Sequence, residues 1–297
     1  MQLHEVQVQI KRILAFLLFL PLLYSCNRLD SIPYSPKISP EAFLSEQPHT
    51  NIRIAGSDYI LIQPTSTIFV YSLGLITLFI GLYFLKKNRK QKSKIWWGIA
   101  LLFWGLGALL AGTSYQAFGF EIKCAGREFC IWTSWWEVFY MIFTAASIDA
   151  MLMAQTYSSV HGKWKKPLRV FAVAKFVTCT GLILSGALIP TKFLVSFELL
   201  ILVSLPVMFV FIILNAYRYK KEKDPLDLLL LLAWIFLGLI IAVYFLYLIS
   251  GFGEQLYKRG IWFTSNDVLH LGLILWMLYI LLAISVKMKD IPHPNCK

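Results

Sequence analysis

Residues 226–250 read LDLLLLLAWIFLGLIIAVYFLYLIS, a run in which Asp227 is the only charged residue. A helix needs roughly 20 apolar residues to cross a hydrocarbon core about 30 Å thick, so this stretch is long enough to span a bilayer. Six further apolar stretches lie between residues 65 and 287. We therefore predict an all-α polytopic membrane protein with a seven-helix bundle, whose spans lie near 66–85, 95–117, 132–157, 169–189, 193–217, 226–250 and 264–286.

The composition agrees with a membrane protein. Of the 297 residues, 58% are hydrophobic and 15% are charged, which lies outside the range of soluble domains. The net charge of +12 is spread over the connections between spans and does not form one patch. This dispersion favours membrane lipids as partners and argues against nucleic acid.

The basic residues fall mainly into every second connection, which predicts the orientation. The connections 86–94, 163–169 and 218–223 and the tail 287–297 hold six, four, four and three lysines and arginines. The alternate connections hold only one or two each, namely Lys123 and Arg127, then Lys192, then Lys258 and Arg259. Basic residues near span ends are retained in the cytoplasm, so we predict a cytoplasmic C-terminus and an outside N-terminus.

The N-terminus resembles a bacterial export signal. Lys11 and Arg12 precede an apolar run from residue 13 to 24, which is short for a span. The run ends in Leu23-Tyr24-Ser25-Cys26, which is similar to the lipobox of bacterial lipoproteins. We predict a signal peptide over residues 1–25 and lipidation of Cys26, with an uncleaved eighth helix or a signal without lipid as alternatives. This places the protein in a bacterial cytoplasmic membrane.

The rest of the chain divides into three parts. Residues 26–64 are rich in proline and serine and lack a sustained period, which is typical of an exported linker. Residues 65–287 form the seven-helix domain, and residues 288–297 form a cytoplasmic tail. The linker either folds over the outer mouth of the bundle or stays mobile.

Two cysteines share the outer connection between the second and third spans. Cys124 and Cys130 have five residues between them, and an oxidising compartment would allow them to form a disulfide. Two free thiols are the alternative, because sequence does not fix the geometry that a disulfide needs.

Polar residues inside spans are costly in lipid and therefore mark candidate sites. The second span ends in Gly112-Thr113-Ser114-Tyr115-Gln116, in which Gly112 and Gln116 share a helical face. On the third span, Glu137 and Tyr140 lie on a polar stripe that also includes Thr133, Thr144 and Ser147. Helix packing sealed by hydrogen bonds is the alternative explanation for the second span, and exposure at the interface is the alternative for Glu137.

The seventh span opens with Asn266, Asp267 and His270, which can meet on one helical face. A carboxylate beside an imidazole sets its tautomer and raises its basicity, as a general base or a metal ligand requires. The alternative is a helix cap formed by Ser265, Asn266 or Asp267, with a structural histidine one turn later.

Two further charges lie deeper in the membrane. Asp149 is on a different face of the third span from Glu137, and Lys175 is at a similar depth in the fourth span. We predict that they form a buried ion pair.

Seven spans, polar residues ending the second span and a histidine turn opening the seventh resemble the superfamily of alkaline ceramidases and progestin/adiponectin-type receptors. The family has Ser-x-x-x-His in the second span, a following Asp, and His-x-x-x-His in the seventh. The corresponding residues here are Gly112-x-x-x-Gln116 and Asn266-x-x-x-His270, so His270 alone matches a metal ligand.

The resemblance implies a zinc site, but not one built from three histidines. The other four histidines lie outside the predicted spans. A zinc ion would therefore need mixed ligands such as His270, Asp267 and Glu137.

These observations predict an outward-facing polar pocket formed by the second, third and seventh spans. The leading hypothesis is a ceramidase-like membrane hydrolase, or a degenerate relative, that acts on a lipid or amphipathic substrate. His270, Asp267 and Glu137 would be its catalytic residues. The residues expected to bind the ligand are Gln116, Ser114, Tyr115, Asn266 and Tyr140. The alternatives are a non-catalytic lipid or small-ligand receptor, favoured by amides in place of histidines, and a structural subunit.

Overall fold

A computed structural model of the protein describes residues 28–87 and 90–291. The predicted signal peptide and the predicted lipidation site Cys26 lie outside the described residues.

The prediction of seven spanning helices is confirmed, since seven helices in the described part of the chain are long and apolar enough to cross a membrane. We number them as spans one to seven in chain order. Their bounds are Pro64–Lys86, Lys92–Ala117, Trp135–Ser158, Gly162–Leu188, Phe197–Glu222, Pro225–Ile249 and Ser265–Lys287.

Shorter elements connect the spans and precede them. The hairpin strands are β1, His49–Ile54, and β2, Ser57–Ile62. Short helices cover Leu29–Ser31, Pro40–Ser45, Gly119–Lys123, Lys192–Val195 and Phe252–Lys258. Two spans contain π-helical segments, at Gly112–Ala117 in the second span and at Ile280–Ile284 in the seventh. A π turn adds a residue to the helical repeat, so side chains beyond it are rotated relative to an α-helix.

Six of the spans form a ring and the fourth lies outside it. The first span packs between the second and the seventh, the third packs on the second and the fifth, and the sixth joins the fifth to the seventh. The fourth packs mainly on the third. Inside the ring, Phe211 stacks on Trp234 with 4.0 Å between ring centroids, and Trp276 packs on Trp234.

Glycines allow the first and second spans to approach closely. A Cβ atom at Gly105 would lie 2.9 Å from the carbonyl oxygen of Gly74, and one at Gly98 would lie 3.0 Å from the carbonyl oxygen of Gly81. On each span the two glycines are seven residues apart in sequence, so they lie on one side of the helix. Small residues of this kind are typical of close helix contacts in membranes.

The fourth and fifth spans differ most from the prediction. The fourth begins at Gly162, earlier than predicted, so the basic residues of the predicted connection 163–169 lie in its first helical turns. The fifth begins later, at Phe197, because the hydroxyl of Ser196 caps it by accepting a hydrogen bond from the Leu199 amide.

The predicted linker contains regular structure and covers one end of the bundle. In the hairpin, Ile52 of β1 pairs with Tyr59 of β2. The chain before it is attached to the connection after the second span, because the amides of Trp132 and Cys130 donate to the carbonyls of Ile32 and Ile38. We call residues 28–63 the cap. Cys124 and Cys130 in that connection are joined by a disulfide.

The predicted ion pair is present between the third and fourth spans, where Lys175 Nζ lies 3.1 Å from Asp149 Oδ1. Both side chains are largely buried, at 10% and 6% exposed. A second buried pair joins the fifth and sixth spans at the end of the bundle opposite the cap, where Arg218 Nε donates to both carboxylate oxygens of Asp227. In both pairs, buried charges of opposite sign meet between neighbouring helices.

Candidate functional site

A cavity of about 440 Å³ lies beneath the cap, at the end of the ring where the second span finishes and the seventh begins. Most of the residues predicted as a site line it, namely Tyr115, Gln116, Glu137, Tyr140, Asn266 and His270. Further walls come from the cap, from Lys123 and Trp132, and from the fifth and sixth spans. The cavity is therefore lined by more parts of the chain than the predicted pocket, which involved only the second, third and seventh spans.

Glu137 is fully buried and neutralised by a lysine. Its Oε1 atom lies 2.5 Å from Lys123 Nζ and accepts a hydrogen bond of 2.8 Å from Ser114 Oγ. Ser114 also pairs with the hydroxyl of Ser134 at 2.7 Å. Ser114 thus holds Glu137 in place and does not line the cavity, although it was predicted to bind the ligand.

Lys123 belongs to the connection between the second and third spans but points into the protein. It ends the short helix Gly119–Lys123, and the disulfide begins at the next residue. Burial lowers the pKa of Lys123, but the carboxylate of Glu137 and the Tyr34 side chain outweigh that effect, so its pKa is raised overall. The ammonium also lies 4.7 Å from the ring centroid of Tyr115.

Asp267 is a capping residue and does not face the cavity. Its carboxylate accepts from the backbone amide of Thr264, and Thr264 completes the capping box at the start of the seventh span. It also accepts hydrogen bonds from Ser66 and Thr65 of the first span, at 2.9 and 3.3 Å. The prediction that Asp267 tunes His270 is therefore corrected, because its oxygens are occupied by the cap of its own helix and by the first span.

Asn266 joins the cavity to the cap through a chain of amides. Its Nδ2 atom donates to Gln63 Oε1 at 3.0 Å, and Gln63 Nε2 donates to Gln47 Oε1 at 3.1 Å. Gln63 has a φ of 43°, which is uncommon for a residue other than glycine. These three amides form the edge of the cavity beneath the hairpin.

Two buried polar atoms on the cavity wall have no hydrogen-bond partner among the described residues. They are Oε1 of Gln116, which is 4% exposed, and Nδ1 of His270, which is 8% exposed. Gln116 lies within the π-helical segment Gly112–Ala117 of the second span and lines the cavity. A Cβ at Gly112 would instead meet Val70 of the first span. The predicted common face of Gly112 and Gln116 is therefore divided between the first span and the cavity.

The lower part of the predicted stripe on the third span does not reach the cavity. Thr144 lies against Gly107 of the second span, and Ser147 is fully buried. The side chain of Tyr140 does line the cavity and meets Tyr115 edge to face, with 6.1 Å between ring centroids. The polar face of the third span therefore serves two purposes, lining the cavity above and packing against a helix below.

The residues do not fit the predicted mixed-ligand zinc site. Across the described ranges, no three His, Cys, Asp or Glu side chains are grouped closely enough to hold a metal ion together. Asp267 is bound to the first span and Glu137 is paired with Lys123. His270 is thus left without the two carboxylate partners that were proposed for it.

Sequence reasoning missed Lys123, Gln47 and Gln63, all of which line the cavity. A lysine in a connection between spans is normally solvated, but its position directly before Cys124 was a signal that it is held against the bundle. Gln47 and Gln63 lie in the stretch predicted as a linker, where no period indicates which side chains turn inward.

Comparison with known proteins places the chain in a family without assigning it an activity. The model of a family of unknown function, DUF6962, matches residues 65–289, so the chain belongs to that family. No curated protein and no solved structure matches the chain.

Proposed function

We propose that this member of the DUF6962 family is a membrane receptor that binds an amphipathic lipid or lipid-like ligand in the cavity beneath the cap. The alternating basic connections support placing that cavity at the outer leaflet of a bacterial cytoplasmic membrane. Among relatives of the ceramidase and progestin/adiponectin-type receptor superfamily, it would be one that binds without zinc.

The observation that carries this proposal is the pair of unpartnered buried atoms, Gln116 Oε1 and His270 Nδ1, on the wall of one cavity. A buried polar atom left without a hydrogen bond costs about 1–3 kcal/mol. The cavity of about 440 Å³ has room for a ligand group, and drug-sized ligands occupy pockets of this order of size. Hydroxyl and amide groups on a ligand would satisfy both atoms.

The opposite wall suits the apolar part of such a ligand. Phe197 of the fifth span and Ile241 and Phe245 of the sixth line the cavity and are 44%, 38% and 38% exposed. Because they belong to both the cavity and the outer surface of the bundle, an alkyl chain bound against them would reach the surrounding lipid. Polar atoms on one wall and an apolar exit on the other favour an amphipathic ligand over a small hydrophilic one.

The first test is to identify lipids that co-purify with the full-length protein by mass spectrometry of its extract. We expect one lipid class to be enriched over the bulk membrane, and the Gln116→Ala variant to retain about five- to tenfold less of it, the effect of losing one hydrogen bond worth about 1 kcal/mol. Gln255→Ala is the matched control, because Gln255 is exposed and lies outside the cavity. Equal retention by both variants would overturn the proposal.

Metal analysis of the same preparations separates the receptor from the hydrolase. Zinc bound in a 1:1 ratio and lost in His270→Ala, together with turnover of an added ceramide, would support the hydrolase instead. We expect the zinc content of the unmodified protein and of His270→Ala to be equal.

A further inference from the structure

A second cavity, of about 590 Å³, lies at the end of the bundle opposite the cap. It opens between the fourth and fifth spans, because the fourth packs mainly on the third and leaves the adjoining face of the fifth uncovered. We call it the distal groove. The residues that line it include Trp164 and Leu168 of the fourth span, and Phe209, Ile213, Tyr217 and Lys221 of the fifth.

The distal groove changes from apolar to polar along its length. Phe209, Ile213, Tyr217 and Lys221 are spaced four residues apart and form a single ridge along the fifth span. At 1.5 Å per residue this ridge is about 18 Å long, close to the depth of one leaflet of a bilayer core about 30 Å thick. Phe209 and Ile213 are 58% and 65% exposed, so the apolar part is open to lipid.

The polar end of the groove carries a cation that no acidic side chain among the described residues balances. Arg218 is paired with Asp227 and Glu222, and Glu222 also lies 4.0 Å from His161. Lys221 is exposed and makes no ion pair with any residue that the structure describes. It is therefore the lysine of the groove lining that can pair with an external negative charge.

Other basic residues nearby either face elsewhere or add to the local positive field. Lys165 and Arg169 of the fourth span lie over the ring of Tyr157 and are not part of the groove. Lys163 and Lys220 are exposed beside the groove without lining it. Positive charge of this kind near a membrane surface attracts anionic lipids, and an exposed tryptophan such as Trp164 is typical of the interfacial region.

We propose that the distal groove binds an anionic phospholipid, with an acyl chain along Phe209 and Ile213 and the phosphate beside Lys221. The ridge from Phe209 to Lys221 matches the depth of one leaflet, and the ammonium of Lys221 lies at the end where a headgroup would be. A neutral phospholipid could fill the apolar part but would leave Lys221 without a net negative partner.

The headgroup contact can be tested by native mass spectrometry of the delipidated full-length protein, titrated with dioleoyl phosphatidylglycerol or dioleoyl phosphatidylcholine. We expect phosphatidylglycerol to bind more tightly, and Lys221→Gln to weaken it about fivefold while leaving phosphatidylcholine unchanged. Lys220→Gln removes the same charge one residue away, outside the groove, and should weaken phosphatidylglycerol binding clearly less than Lys221→Gln does. Equal losses in the two variants, or equal binding of the two lipids, would overturn the proposal.

The chain contact needs a separate variant. Ile213→Trp would fill the apolar part of the groove and should abolish the preference for phosphatidylglycerol, whereas Leu239→Trp, on an exposed face of the sixth span outside both cavities, should not. Glycerol 3-phosphate tests whether the headgroup alone is enough. Competition by it at the same concentration as the intact lipid would overturn the assignment to a phospholipid. Because the Gln116→Ala variant alters only the cavity beneath the cap, it should retain phosphatidylglycerol binding at the distal groove.

Discussion

Replacing Lys123 with methionine is expected to lower the free energy of unfolding by about 3–5 kcal/mol, the range for breaking a buried ion pair by removing one partner. Lys123 and Glu137 are only 3% and 1% exposed, and their charged atoms lie 2.5 Å apart. Methionine has a similar length but no charge, so the Glu137 carboxylate would stay buried without its cation, although the hydroxyl of Ser114 would still donate to it. Unfolding of the purified protein in detergent, followed by circular dichroism, measures the change.

Two variants show whether the loss comes from the uncompensated carboxylate. Lys123→Met combined with Glu137→Gln removes both charges and should recover most of the lost stability. Lys258→Met removes an exposed lysine from another connection on the same side of the bundle and should change the stability by less than about 0.5 kcal/mol. If Lys123→Met were as stable as Lys258→Met, the pair would not hold the site together.

The same pair predicts how stability depends on pH. The pKa of Lys123 is raised above the ordinary lysine value of 10.5, so the folded protein binds this proton more tightly than the unfolded chain does. Its contribution is therefore fully present below pH 10.5 and is lost as the pH rises through the folded-state pKa. Between pH 10 and 12 the melting temperature should fall more steeply for the unmodified protein than for the double variant Lys123→Met/Glu137→Gln. Parallel curves would contradict this assignment.

Adding a single methyl group at Gly105 is expected to destabilise the bundle by about 1–3 kcal/mol. The new Cβ would lie 2.9 Å from the carbonyl oxygen of Gly74 and 2.8 Å from the Leu78 side chain, so the first and second spans would have to separate. Thermal unfolding of Gly105→Ala in detergent measures this loss.

Gly181→Ala provides the matched control for this variant. It introduces the same methyl group on the fourth span, where nothing lies within 4 Å. Because alanine favours helix more than glycine does, the control should be neutral or more stable by up to about 1 kcal/mol. Destabilisation of both variants by the same amount would show that the contact between the first two spans is not the cause.

The seven helices could be predicted because a bilayer imposes a length and a composition on each of them. The polar residues near the ends of these helices could also be identified from the sequence as candidate site residues, because lipid excludes side chains such as Gln116, Glu137 and His270 unless they face the protein interior. That reasoning selects residues but not their partners. It grouped Asp267 with His270 because they are one turn apart, whereas the structure pairs Asp267 with Ser66, which is 201 residues away in sequence.

The partners that were missed depend on the connections and on a local change of helix type. Lys123 lies in a short connection, where a lysine normally remains in water, and its burial follows from how the disulfide and the cap hold that connection against the bundle. The π turn at Gly112–Ala117 could not be foreseen from a helical period, since it is itself a departure from that period. Sequence therefore located the cavity approximately and could not specify which of its groups are already paired.

The ion pair between Asp149 and Lys175 has a consequence for biogenesis. Either charge alone at the centre of a helix opposes insertion by about 2.5–3.5 kcal/mol, whereas together they neutralise each other between two neighbouring helices. The fourth span has its main contact with the third, so no other helix in the described bundle offers Lys175 an ion-pair partner. The translocon should therefore release these two segments into lipid as a hairpin, with the third segment retained until Lys175 of the fourth is beside it.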